Sequence, residues 1–183
     1  SDCEPAPQVL TMGKMKLQQA QGLAIALLKQ HGLWPEWSFH FDYSKVRFGT
    51  CNYTKRHISL SRHLVALNSE EQVRETILHE IAHALAPRGA GHGRAWRTIA
   101  ISIGCQGQRC YGPKVARPAP KYRGTCPTCG REVRRHRRAA LACGSCSPVF
   151  DARHQLIWSE AKLVGRVVLD EIQVAAGPTT ALE

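Results

Sequence analysis

LHEIAHALAPRGAGHGRAW, Leu78 to Trp96, is the stretch whose reading decides the fold. It holds His79-Glu80-x-x-His83 and then His92, set between Gly91 and Gly93. An α-helix turns by about 100° per residue, so His79 and His83 sit one turn apart on a single face. Two imidazoles presented in this way reach one zinc ion, and His92 is the candidate third ligand. A fourth position left to water makes such a site catalytic rather than structural. Glu80 is the candidate general base for that water. Val73, Ile77, Ile81, Ala84 and Leu85 make an apolar stripe expected on the side opposite the histidines. Pro87 to Gly91 breaks the helix and can return the chain to the metal, and the glycines beside His92 permit a close backbone approach.

Working outward, Ser69 is a cap with Gln72 three residues on, so the motif helix is expected from about Glu70 through Leu85. A second helix is expected over Gly93 to Ile103, with Trp96, Ile99, Ala100 and Ile103 on one side and Gly104 ending it. Upstream, residues 14–31 show helical periodicity and stop at Gly32. Period-two alternation (Trp37-x-Phe39-x-Phe41, then Val46-x-Phe48, then His57 to Ser61) predicts three short antiparallel strands near 37–42, 46–52 and 56–61. Helix, three strands and two further helices read as an α+β domain with a small antiparallel sheet.

The 183 residues suffice for one such domain and a small appended module. Hydrophobic residues make up 43%, which excludes a disordered chain. The net charge of +11 is unevenly spread. Residues 109–138 carry 10 Lys/Arg against one Asp/Glu, while residues 139–183 are net −2. A concentrated positive segment is the footprint of a polyanion-binding surface. No apolar run is long enough to span a membrane. Residues 1–11 read as a loose lead-in without a signal-peptide pattern, so a reducing compartment is expected, cytoplasmic and nucleoid-associated. In that setting the eight cysteines are metal ligands or free thiols, and Cys105 and Cys110 read as small buried thiols.

Cys126-Pro-Thr-Cys129 and Cys143-Gly-Ser-Cys146 are two C-x-x-C knuckles with thirteen residues between them, the spacing of a structural zinc ribbon. Four thiolates leave no open position, so this second zinc is not catalytic. Lys121, Arg123, Arg131, Arg134, Arg135, Arg137 and Arg138 are the candidate nucleic-acid contacts. Tyr111, Tyr122 and Trp158 are candidates for stacking on bases. The expected organisation is a catalytic domain over 1–112, a basic proline-rich linker over 113–121, the ribbon over 122–160 and a tail over 161–183.

These residues carry a family resemblance. Gly49-Thr50-Cys51-Asn52-Tyr53 with Ile58-Ser59-Leu60-Ser61, then Leu78-His79-Glu80-Ile81-Ala82-His83-Ala84, then Gly91-His92-Gly93-Arg94-Ala95-Trp96, resemble the SprT-like zinc metallopeptidases. That family includes the Spartan proteases, which act on DNA–protein crosslinks. The resemblance runs from about Leu17 to about Trp158, because the four-cysteine ribbon is like that of many bacterial members. It implies a zincin-like domain, with His79, His83 and His92 on a catalytic zinc and Glu80 as catalytic glutamate. The interval between His83 and His92 is short beside that of Spartan-type members, so the rim of the site is expected to differ.

The expected function is a zinc-dependent endopeptidase acting on protein substrates, in particular DNA-associated ones. It uses one catalytic and one structural zinc, binds DNA without sequence specificity and is a monomer with no membrane partner. The alternative is a nucleic-acid-binding zinc protein whose H-E-x-x-H site is vestigial or regulatory. A different zinc hydrolase, such as an amidase or deformylase, is the third option. Tyr53, Arg94 and Arg97 are the residues to test for oxyanion stabilisation.

Overall fold

The computed structural model describes residues 14–109 and 115–161, with the backbone of 167–168. The lead-in, Cys3, Cys110, Tyr111 and most of the tail lie outside the described residues. The first helix, α1 (Leu17–Gln30), buries Ala20, Ala24, Leu27 and Leu28. Two alanines one turn apart let it approach its neighbours closely. Gly32, with φ of 68°, follows its last turn in the left-handed region that glycine adopts without strain.

Three strands follow: β1 (Ser38–Asp42), β2 (Gly49–Asn52) and β3 (His57–Ser61). The expected all-antiparallel sheet is corrected in one pairing. The sheet order is β1-β3-β2, with β3 antiparallel to β2 but parallel to β1. Residues 43–48 leave β1 and skip one strand position, roughly 10 Å, so that β3 enters between β1 and β2. That loop is pinned by polar contacts. Asp42 accepts from the Ser44 N–H at 2.9 Å and the Ser59 hydroxyl at 2.8 Å. The Ser61 hydroxyl donates to the Ser44 carbonyl and caps α2 (Arg62–Val65).

The motif helix α3 (Glu70–Leu85) has the predicted bounds and the predicted cap. The Ser69 hydroxyl accepts from the Gln72 N–H, and the Gln72 side chain accepts from the Ser69 N–H at 3.0 Å. Val73, Ile77 and Ile81 are fully buried, but Leu85 is exposed. The expected stripe is therefore too long at its end and too narrow in the middle. Every residue from Thr76 to Ala82 is buried, Glu80 and His79 included. The helix is covered by α1, β2 and α4 (Arg94–Ser102) on different sides.

Asn68, itself 2% exposed, ties this unit to the segment that begins at Val115. Its side chain exchanges hydrogen bonds of 2.8 Å with both backbone groups of Ala116. Val115 is buried in the same core. Then β4 (Arg117–Pro118) pairs with β8 (Val167–Val168). The ribbon is a second antiparallel sheet, in which β5 (Tyr122–Thr125) lies between β6 (Glu132–Arg135) and β7 (Ile157–Glu160). Among the described residues its buried core is Cys126, Cys143 and Leu156, with Val133, Cys146 and Trp158 packed against them.

Candidate active site

The local sequence places each site residue for a stated reason. The i,i+4 spacing on α3 stacks His79 over His83. The break after Leu85 turns through Gly89 and Gly91, both with positive φ, and brings His92 back to them. His92 Nε2 lies 3.0 Å from Nε2 of His79 and 3.1 Å from Nε2 of His83. Three ligands about 2.05 Å from a tetrahedral zinc stand about 3.3 Å apart, so this donor set fits the metal.

The electrostatics of the three rings agree with that fit. Burial, then the neighbouring His83 and His92, pull His79 down to about 3. Burial, then His92, pull His83 down to about 4. Burial and the Arg109 guanidinium also lower His92. All three shifts favour the neutral ring, the form in which an imidazole binds a cation.

Trp96 is the floor of the cluster, a role the sequence reading missed. It is 1% exposed, and its ring centroid lies 4.8, 5.2 and 4.6 Å from those of His79, His83 and His92. The signal was present in the spacing. Gly93 caps α4, so Trp96 falls in its first turn, directly behind His92.

Glu80 is 4% exposed and packs against the backbone of Gly49 in β2. The cleft in front of these groups is about 560 Å³, lined among others by Arg47, Thr50, Cys51, Tyr53 and Arg109. Of the three residues considered for oxyanion stabilisation, Tyr53 reaches the cleft, and its hydroxyl donates to the His83 carbonyl at 2.7 Å. Arg94 and Arg97 are exposed on α4 and do not line the cleft, whereas Arg47 and Arg109 do.

The four ribbon cysteines also converge, their sulfurs all within 4.8 Å of one another. Cys126 and Cys146 are 3.8 Å apart, and Cys129 and Cys143 are 3.7 Å apart. Thiolates about 2.3 Å from a tetrahedral zinc stand about 3.8 Å apart. Backbone N–H groups of Cys129 and Thr128 hold the Cys126 thiol down to about 6. The N–H of Ser145 likewise lowers Cys143. The first cysteine of each knuckle is thus prepared to be anionic, whereas hydrogen bonding with Cys129, then burial, pushes Cys146 up to about 12.

A sequence model of the SprT-like family matches residues 20–117. The chain belongs to the SprT-like family. No curated protein matches it. The matched region runs from α1 to β4 and contains the three histidines and Glu80; the four cysteines lie beyond it. Membership is consistent with a metallopeptidase-type hydrolase, and both clusters fit zinc.

The seven basic candidates are all exposed. Lys121 pairs with Glu160 at 3.5 Å and Arg123 with Glu132 at 3.3 Å. Arg131 contacts the Ser145 hydroxyl. Among the described residues, no carboxylate pairs with Arg131, Arg134, Arg135, Arg137 or Arg138. Of the stacking candidates, Trp158 is engaged in packing: its indole N–H donates to the Ala139 carbonyl at 2.9 Å and its ring covers Gly124. Tyr122 lies beneath the Arg138 guanidinium, 4.7 Å from its ring centre. Among the described residues, no helix is long and apolar enough to cross a membrane.

Proposed function

We propose that this SprT-like protein is a zinc-dependent endopeptidase that cleaves DNA-associated proteins. The observation that carries the reading is the convergence of three neutral imidazoles on one point beside a buried glutamate. His79, His83 and His92 would hold the catalytic zinc, and the four cysteines a structural one. The mixed sheet packed on the motif helix supports a zincin-like arrangement.

Zinc held there supplies Lewis acidity, which favours deprotonation of water and polarises the scissile carbonyl. Glu80 takes the proton that the attacking water gives up and returns it to the leaving amine. Gly49 leaves the carboxylate its place. The strand β2 is at the sheet edge and lines the cleft with Gly49, Thr50 and Cys51, so an extended peptide can pair with it through main-chain hydrogen bonds. Trp96 fixes the ligand rings from below. Tyr53 restrains the last turn of α3 by binding the His83 carbonyl.

The arginines of the ribbon would hold DNA without sequence preference and bring bound proteins to the cleft, which favours a nucleoid-associated location. The test is proteolysis of a DNA-binding protein with and without DNA, using the wild type and E80Q. The wild type should cleave, and E80Q should lose on the order of 10²–10⁴ in rate. No cleavage with DNA present, or equal cleavage by both, sinks the reading.

A further inference from the structure

The loop after α4 has no part in the zinc chemistry above, yet its backbone reaches His79. Gly104, with φ of 87°, turns the chain out of α4, and the Cys105 N–H donates back to the Ala100 carbonyl at 2.9 Å. The buried Cys105 thiol donates to Oε1 of Glu75 at 3.1 Å, and the Gln106 N–H donates to the same oxygen at 2.8 Å. Gly107 is buried with φ of 67°, and a Cβ there would lie 3.1 Å from Cγ1 of Ile101. The backbone of Gln108 then receives a hydrogen bond from His79. Since Nε2 of His79 faces His92, the nitrogen that donates to the Gln108 carbonyl is Nδ1.

We infer that Glu75 is a positioning residue for the metal centre: one turn before His79 on α3, its carboxylate clamps the 105–108 loop so that the Gln108 carbonyl orients the His79 ring. The inference rests on the reading of His79, His83 and His92 as metal ligands. A ligating imidazole needs its second nitrogen held, because that bond fixes both the tautomer and the ring angle. A loop with two left-handed glycines has too much backbone freedom to hold it unaided. One carboxylate oxygen taking two donors from that loop removes the freedom. Because Glu75 and His79 share a helix face, the clamp and the ring it serves move together.

The experiment is zinc competition with a chromophoric chelator on the full chain, with H79A marking loss of the histidine site. E75A should weaken that site by about 10–100-fold and leave the ribbon site unchanged. E75Q, whose amide oxygen still accepts from the Gln106 N–H, should stay close to wild type. In the zinc-loaded chain, the Nδ1 proton of His79 should exchange slowly in wild type and fast in E75A. A merely structural role would lower the melting temperature and leave both readouts alone. Wild-type affinity in E75A overturns the assignment, as does equal weakening in E75A and E75Q. If E75A fails to fold, E75D decides: it keeps the charge but falls one methylene short, so wild-type affinity there overturns it too. Equal zinc binding by wild type and H79A would sink the ligand reading with it. Extra zinc in wild type, with unchanged E75A and E75D, sinks the role of Glu75 alone.

Discussion

A Cβ on residue 49 would stand 2.6 Å from Oε1 of Glu80 and 2.8 Å from its Cγ. The absence of a side chain at position 49 of β2 is therefore what lets the carboxylate lie where it does. G49A should force Glu80 to shift, with an overpacking cost of about 1–3 kcal/mol. A displacement of about 1 Å at a catalytic group can cost on the order of 10²-fold. The expected outcome is a loss of that size in kcat with zinc content unchanged, since no ligand is touched. Wild-type kcat in a folded G49A chain would remove Gly49 from the account.

The two candidate zinc sites should differ in what they hold up. Among the described residues, the first module has a core of some two dozen buried residues that needs no ion, whereas the ribbon buries Cys126, Cys143 and Leu156. So little apolar burial leaves the folding free energy to the metal. Exhaustive chelation should speed amide exchange across 122–125, 132–135 and 157–160, while α1, α3 and β3 keep their protection. Metal analysis before chelation should find about two zinc ions per chain, as two sites require. A ribbon that stays protected without zinc contradicts this.

Thiol chemistry should separate the cysteines in the same way. Burial, and then the Glu80 carboxylate, push the Cys51 thiol up to about 12. Burial, with Glu75 adding to it, pushes Cys105 up to about 12 as well. A raised thiol value keeps the proton on throughout the neutral range, and the thiolate is the nucleophile. At pH 7.5 Cys51 and Cys105 should resist iodoacetamide, while chelation, by unfolding the ribbon and breaking the contacts with Cys129 that push Cys146 up, should expose Cys126, Cys129, Cys143 and Cys146 to it. Peptide mapping by mass reads the result, and labelling of Cys51 as fast as Cys126 would refute it.

The parts legible in the sequence were those set by local rules. The capping pair Ser69 and Gln72, the helix over 70–85 and the two knuckles follow from spacing and turn chemistry alone. The parallel pairing of β1 with β3 was not legible, because period-two alternation fixes which face a residue takes but not which strand lies beside it. Trp96 read as ordinary core, since its second task, flooring three imidazoles, depends on where the loop through Gly91 returns. Arg109 sits beside His92 by the path of the loop after α4, which no periodicity records. The exposed Leu85 shows the reverse error: an apolar residue in register with a stripe, at a turn where the neighbouring elements have ended.

The ribbon arginines carry the last prediction. On β6 and the turn after it, Arg134, Arg135, Arg137 and Arg138 stand exposed, and Arg134 faces Arg123 across the strands. Like charges directly opposite destabilise a sheet. Such an arrangement is tolerated where a polyanion relieves it. If these groups contact phosphates, each releases about 0.9 counterion from duplex DNA. Replacing all four by Gln should then weaken binding uniformly across sequences. It should also reduce the slope of log K against log salt by about 3 to 4. Zinc content should stay the same, because none of the four is a ligand. DNA-stimulated proteolysis should fall with the affinity, while cleavage of an unfolded peptide substrate without DNA should not. An unchanged salt slope would move the DNA surface off the ribbon, and the basic groups of the cleft rim, Arg47 and Arg109, would be the next to replace.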